Sequence, residues 1–127
     1  MRIVIPLQPV TKKNSQRIVV VRGRPMVLPS KKYTEYQKAC ALFMPKMEKP
    51  IDFGVNVKAL FYNETHRRRD LVNDLESVLD VLVHYSILAD DNYLIVWSMD
   101  GSRELYDKEH PRTEIEITKV GENEWQT

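Results

Sequence analysis

Cysteine is almost missing from this chain of 127 residues, histidine is sparse, and no long apolar run occurs anywhere. Each shortage excludes something. A single cysteine, Cys40, rules out an internal disulfide and fits a reducing cytoplasm. Its neighbours Ala39, Ala41 and Leu42 lie in a helical pattern, so it reads as a buried thiol. His66, His84 and His110 stand too far apart for zinc-ligand spacing. The apolar stretch Ile3 to Leu7 is too short for a signal peptide or a membrane span, so no membrane association is expected. With 43% hydrophobic and 29% charged residues, the composition suits one soluble domain spanning residues 1–127.

Net charge is only +1, but the charge is unevenly placed. Residues 1–50 carry eleven Lys and Arg against Glu35 and Glu48, a net +9, whereas residues 51–127 carry eight against sixteen acids, a net −8. Such asymmetry suggests a basic surface for a polyanion and a separate acidic site.

Along the chain the pattern is α+β, a mixed sheet packed against two helices. Arg2 to Leu7 reads as a strand. Arg17–Val21 and Met26–Leu28 flank Arg22-Gly23-Arg24-Pro25, a hairpin signal. Ser30 is a good N-cap for a helix that Pro45 ends near Met44. Alternation from Phe53 to Phe61 predicts a half-buried strand; Tyr93–Met99 and Thr113–Val120 predict two more. Tyr106 to His110 reads as an exposed loop.

The chemistry concentrates between Arg67 and Asn92. Arg67, Arg68 and Arg69 run into Asp70, which begins a helix reaching about Tyr85. Leu71, Leu75, Val78, Leu79 and Leu82 fall at intervals of three and four and form the apolar stripe. Asp70, Asn73, Asp74 and Ser77 are placed opposite it, with Asp70 and Asp74 one turn apart; Asp80 reads as a solvated position. Asp90-Asp91-Asn92 follows the helix. An α-then-β unit can return such a turn beside the helix start, but where along the strand it falls is left open by the sequence. Cations that grip phosphates beside carboxylates that hold a hard cation such as Mg²⁺ are what metal-assisted phosphodiester cleavage requires.

At these residues, Arg-Arg-Arg-Asp-Leu-Val-Asn from Arg67 to Asn73 followed by the Asp90-Asp91 turn, the chain resembles the RusA family of Holliday junction resolvases, often carried by phages and prophages. The N-terminal strand ending at Pro6, the basic hairpin after Lys13 and the helix near Ser30 extend the likeness from Met1 to about Lys119. The resemblance implies a RusA-like fold and a homodimer that binds four-way DNA junctions in recombination and repair and makes paired nicks with Mg²⁺, for which Mn²⁺ can substitute. It assigns Asp70 and Asp91 as metal-binding, catalytic aspartates and matches Asn73 to the family's asparagine; the chemistry of the site adds Asp74 or Asp90 as assisting carboxylates. Two positions depart from the pattern: Val72 stands where the best-known members have a second aspartate, and Glu76 where they have a catalytic lysine. Asp74 is the candidate replacement ligand. Arg67, Arg68, Arg69, Lys12, Lys13, Arg17, Arg22 and Arg24 are the expected DNA-binding residues. Rival readings are a flap- or fork-trimming nuclease and a non-catalytic junction-binding protein.

Overall fold

Alternation in sequence becomes alternation in burial. The computed structural model describes residues 1–12, 17–28 and 30–121. Strand β4 (Val55–Asn63) buries every second side chain, Val55, Val57, Ala59, Phe61 and Asn63. It is the centre of a mixed sheet. On one side lies β7 (Arg112–Lys119), antiparallel to β4, and beyond it β1 (Arg2–Ile5), antiparallel to β7. On the other side β5 (Val96–Ser98) and then β6 (Arg103–Tyr106) pair with β4 in parallel, β5 at the Val55 end and β6 at the Asn63 end. That parallel return registers everything that precedes β5.

Helices α1 (Lys31–Cys40) and α2 (Leu71–His84) contribute to a single core with the sheet, in which Ile5, Phe61, Ile115, Tyr33 and Leu82 are fully buried. Burying side chains of that size stabilises by roughly 1.5–3 kcal/mol each. Ser30 caps α1 by accepting from Tyr33 N at 3.1 Å, and a short 3₁₀ turn (Ala41–Phe43) carries the chain to Met44, where Pro45 forbids continuation. The alternate face of the sheet carries charge instead, with Glu114 bridging Arg2 at 2.6 Å and Arg112 at 2.8 Å.

Strands β2 (Arg17–Val21) and β3 (Arg24–Leu28) form a separate two-stranded ribbon, closed by Arg22 (φ 53°) and Gly23 (φ 77°). Two consecutive positive φ values match the right-handed twist of the strands, and glycine supplies one of them without strain.

Strand β6 has no counterpart in the sequence reading, and three further elements differ from it. The strand expected from Phe53 begins at Val55, because Gly54 packs under the Trp97 indole, where a Cβ would meet Cε2 at 2.3 Å. Of Tyr93–Met99 only Val96–Ser98 is strand. Asn92 holds the residues before it in a turn, its side chain accepting from Leu94 N at 3.0 Å and its carbonyl from Ile95 N at 3.0 Å and Val96 N at 2.9 Å. The buried face of α2 is also rotated. Asn73, Asp74 and Ser77 are buried together with Val78, Val81 and Leu82, while Leu71, Leu75 and Leu79 are only partly buried. Polar groups can occupy that face because they are satisfied, Asp74 by Arg69 and Ser77 by the amide of Lys12.

Candidate functional site

Asp70 ends the 64–69 connection and opens α2. Its backbone is extended (φ −110°, ψ 112°), and its side chain accepts from Val72 N at 3.0 Å, the N-cap geometry. The residue is exposed, beside an open groove of about 400 Å³ lined by Arg68, Arg69, Leu71 and Asn73. Arg67 and Arg68 are exposed too, and Arg67 also borders a second groove of about 380 Å³ formed with His66, Glu104 and Tyr106. The His66 ring stacks on Tyr106 with centroids 3.8 Å apart, stiffening the connection that carries the arginines.

Arg69 points inward. It grips Asp74 in a two-point pair, Nη2 to Oδ1 at 2.6 Å and Nε to Oδ2 at 3.3 Å, and Nη2 also donates to the Pro9 carbonyl at 3.0 Å. The Asp74 side chain is 1% exposed. Its carboxylate, expected on the solvent side as a replacement ligand, is buried and already neutralised by this arginine. A metal at Asp74 would have to displace Arg69 and enter the protein interior.

Glu104 completes the cluster. Asn63 Nδ2 donates to its Oε1 at 2.8 Å, while Oε2 is buried and accepts from no donor among the described residues. Burial, reinforced by the neighbouring Asp74 carboxylate, pushes the Glu104 carboxyl up to about 7. A proton on Glu104 resolves the orphan oxygen, since Oε2–H can then donate to Asp74. The consequence for stability has a definite sign. A carboxyl raised above its unfolded value of 4.5 favours the fold most below that value, and the contribution is lost as pH rises through about 7. Denaturant midpoints at pH 5 and pH 8 are therefore expected to show Glu104→Gln gaining on the wild type as pH rises. A wild-type-minus-variant difference that does not change with pH would refute the shared proton.

The basic residues divide in the same way. Lys12 is tied to α2, its amide donating to Ser77 Oγ at 2.9 Å and its ammonium reaching Asp80 Oδ1 at 3.4 Å. Asp80, expected as a solvated charge, is a half-buried hub that also accepts from Gln37 at 2.9 Å and from the Tyr33 hydroxyl, joining α1 to α2. Arg22 and Arg24 are exposed at the tip of the ribbon. Lys13 lies outside the described residues, as does the side chain of Arg17.

Asp90 and Asp91 are exposed in the turn before β5. Asp91 N donates to Asp90 Oδ1 at 2.7 Å and Asn92 Nδ2 to Oδ2 at 3.3 Å, and these bonds, the amide first, hold the Asp90 carboxyl below the usual carboxylate range. The turn does not return to Asp70. Ala89 N donates to the Ile51 carbonyl at 2.9 Å, Leu88 N to the Leu82 carbonyl at 3.3 Å, and Val96 pairs with Val55. Asp91 thus sits at the end where α2 finishes and β4 begins. Asp70 sits where β4 finishes and α2 begins. Fourteen residues of helix separate the two ends by about 20 Å. Among the described residues no group of three or more carboxylate, histidine or cysteine side chains could hold a metal ion.

Val72 and Glu76 are both exposed on α2. The network of Asp74, Arg69, Glu104 and Asn63 escaped sequence reasoning because Glu104 and Asn63 carry no local motif. No helix among the described residues is long and apolar enough to cross a membrane. A search of curated proteins finds no match. A family model described as Endodeoxyribonuclease RusA matches residues 6–118, nearly the whole of the fold from the end of β1 to the end of β7, including the arginine run, Asp70 and the Asp90-Asp91 turn. By that match the chain belongs to the RusA family of endodeoxyribonucleases.

Proposed function

We propose that this protein is a Mg²⁺-dependent, structure-selective endonuclease that resolves four-way DNA junctions by paired nicks, acting as a homodimer in recombination and repair. The observation that carries this reading is the family match over residues 6–118. The placement of charge agrees with it. Exposed Arg67 and Arg68 adjoin the exposed Asp70, and Arg22 and Arg24 are exposed at the turn of the separate two-stranded ribbon.

Arginine suits phosphate because its planar fork gives two parallel charge-assisted hydrogen bonds. Arg67, Arg68, Arg22 and Arg24 would hold the backbone, and Arg69 and Lys12 would brace the fold beneath them. Asp70 and Asp91, with Asp90 assisting, are the carboxylates proposed for the metal, where Mn²⁺ would also be accepted. Asp74 is dropped from that set, since Arg69 occupies both its oxygens. Within one protomer the remaining set does not fit a single ion, because the two aspartates lie at opposite ends of α2.

A nicking assay on synthetic four-way, three-way and flap DNAs with Mg²⁺ or Mn²⁺ tests the reading. Symmetric paired nicks on the four-way junction are the expected result. Cleavage confined to flaps would replace it with a flap nuclease, and binding without cleavage would make the protein a junction binder. The same substrates test the basic crest. Neutralising Arg67 and Arg68 together is expected to flatten the log–log salt dependence of junction binding by up to about 1.8, near 0.9 per phosphate contact. An unchanged slope would return both arginines to a solubilising role.

A further inference from the structure

We infer that the exposed His66–Tyr106 ring pair is a stacking platform for an unpaired base of the bound DNA, and that it helps to select branched DNA over duplex. The inference rests on the reading of this protein as a junction nuclease, and it names the part of the substrate that the groove beside Arg67 takes.

The fold builds the platform from two segments that are distant in sequence. Strand β6 pairs with β4 in parallel, with Tyr106 opposite Asn63, so the two strands finish together. The Asp107 amide closes that end by donating to the Asn63 carbonyl at 2.9 Å. The chain leaving β4 is held by Gln8, whose Oε1 accepts from the Glu64 amide at 2.8 Å, and His66 follows shortly after. The two rings meet face to face, with centroids 3.8 Å apart and planes 23° from parallel. That spacing is close to the roughly 3.4 Å step between stacked bases. Both residues are exposed, Tyr106 at 45%. A ring pair so spaced and so exposed can carry a third ring. It is also fixed in place by the strand ends, so little ordering is left to be done on binding.

The surroundings identify the third ring as a base on a held strand. The platform lines an open groove of about 380 Å³ together with Thr65, Arg67 and Glu104. Arg67 is exposed and next in sequence to His66, and Arg69 lines both this groove and the one beside Asp70. A guanidinium for the phosphate beside an aromatic face for the base is the combination that binds single strands with little regard to sequence. Duplex DNA cannot use the aromatic half, because neighbouring base pairs cover the faces of its bases. Extruding a base from duplex costs its pairing and its stacking, and a base at a branch point has already lost part of both. The platform therefore favours a branch over a duplex without reading the sequence.

Photocrosslinking tests this directly. 5-Iodo-deoxyuridine, which couples on irradiation to an aromatic side chain stacked against it, is placed in turn at thymine positions flanking the crossover of a synthetic four-way junction. Ca²⁺ replaces Mg²⁺ to hold the complex uncleaved. Peptide mapping is expected to find the adduct on Tyr106 or His66 with the junction, and not when the same strand lies in a fully paired duplex. Tyr106→Ala is expected to lower the ratio of junction to duplex affinity by about 5- to 100-fold, the worth of one stacked base, while Tyr106→Phe keeps the ratio. Equal falls in junction and duplex affinity for Tyr106→Ala would make the ring pair only a brace for the arginine connection and overturn the inference. A junction that binds the wild type tightly yet gives no adduct on either ring would overturn it as well. Failure of the wild type to bind any branched DNA would instead remove the junction reading, and this subsite with it.

Discussion

Arg69→Ala is expected to destabilise the protein by about 3–5 kcal/mol near neutral pH, the range for removing one partner of a buried ion pair. The Asp74 side chain is 1% exposed and receives two bonds from Arg69, so the variant leaves a carboxylate in the interior with its cation gone and the Glu104 carboxyl beside it. The lost donation to Pro9 also frees the chain that leads from β1 to Lys12. The loss should shrink as pH falls, because a proton on Glu104 removes one of the two negative charges left facing each other. Replacing both partners, Arg69→Met with Asp74→Leu, should recover much of the stability, since a buried pair exchanged for apolar groups is often neutral. Denaturant midpoints for the two single variants and the double variant check this. Additive losses would mean that the pair is not the source of the effect. The same result would separate Arg69 from Arg67 and Arg68, whose neutralisation should change stability by no more than about 0.5 kcal/mol.

What could be read from the sequence was whatever depends on near neighbours. Ser30 and Asp70 cap their helices because a short polar side chain bonds an amide two or three residues on, which spacing alone reveals. The burial rhythm of β4 and the hairpin turn at Arg22-Gly23 are local in the same sense. What could not be read depends on distant partners. Asp74 looked like a surface ligand because its burial is licensed by Arg69 turning inward and by Glu104 on β6, thirty residues away. Ser77 looked like surface for the same reason, its partner being the amide of Lys12. The location of Asp91 depended on one fact of register, the pairing of Val96 with Val55. A strand that paired further along would have carried the turn towards Asp70. The arginine triplet was legible as a charge run, but its division into two outward cations and one inward anchor was not.

Asp70→Asn and Asp91→Asn are each expected to lower junction cleavage by more than the roughly 10–100-fold that loss of an outer metal partner costs, while binding is kept or slightly tightened. The argument turns on what asparagine preserves. At position 70 it still accepts from Val72 N, so α2 keeps its cap and stability should move by a few tenths of a kcal/mol at most. At position 91 the main-chain amide that bonds Asp90 is untouched, so the turn survives. Each substitution deletes one negative charge beside a polyanion, which lowers repulsion and cannot weaken phosphate contacts made by Arg67 and Arg68. Loss of rate with intact folding and binding is thus the signature of a removed ligand charge. Asp90→Asn should be milder, because an amide oxygen at that position can still accept from Asp91 N and steady the turn. Single-turnover cleavage, junction affinity in Ca²⁺ and a thermal melt, measured for the three variants under one set of conditions, check the series. A variant that loses binding and rate together would mark a structural or DNA-contacting aspartate, and near-wild-type cleavage by Asp70→Asn would move the metal away from the start of α2 altogether.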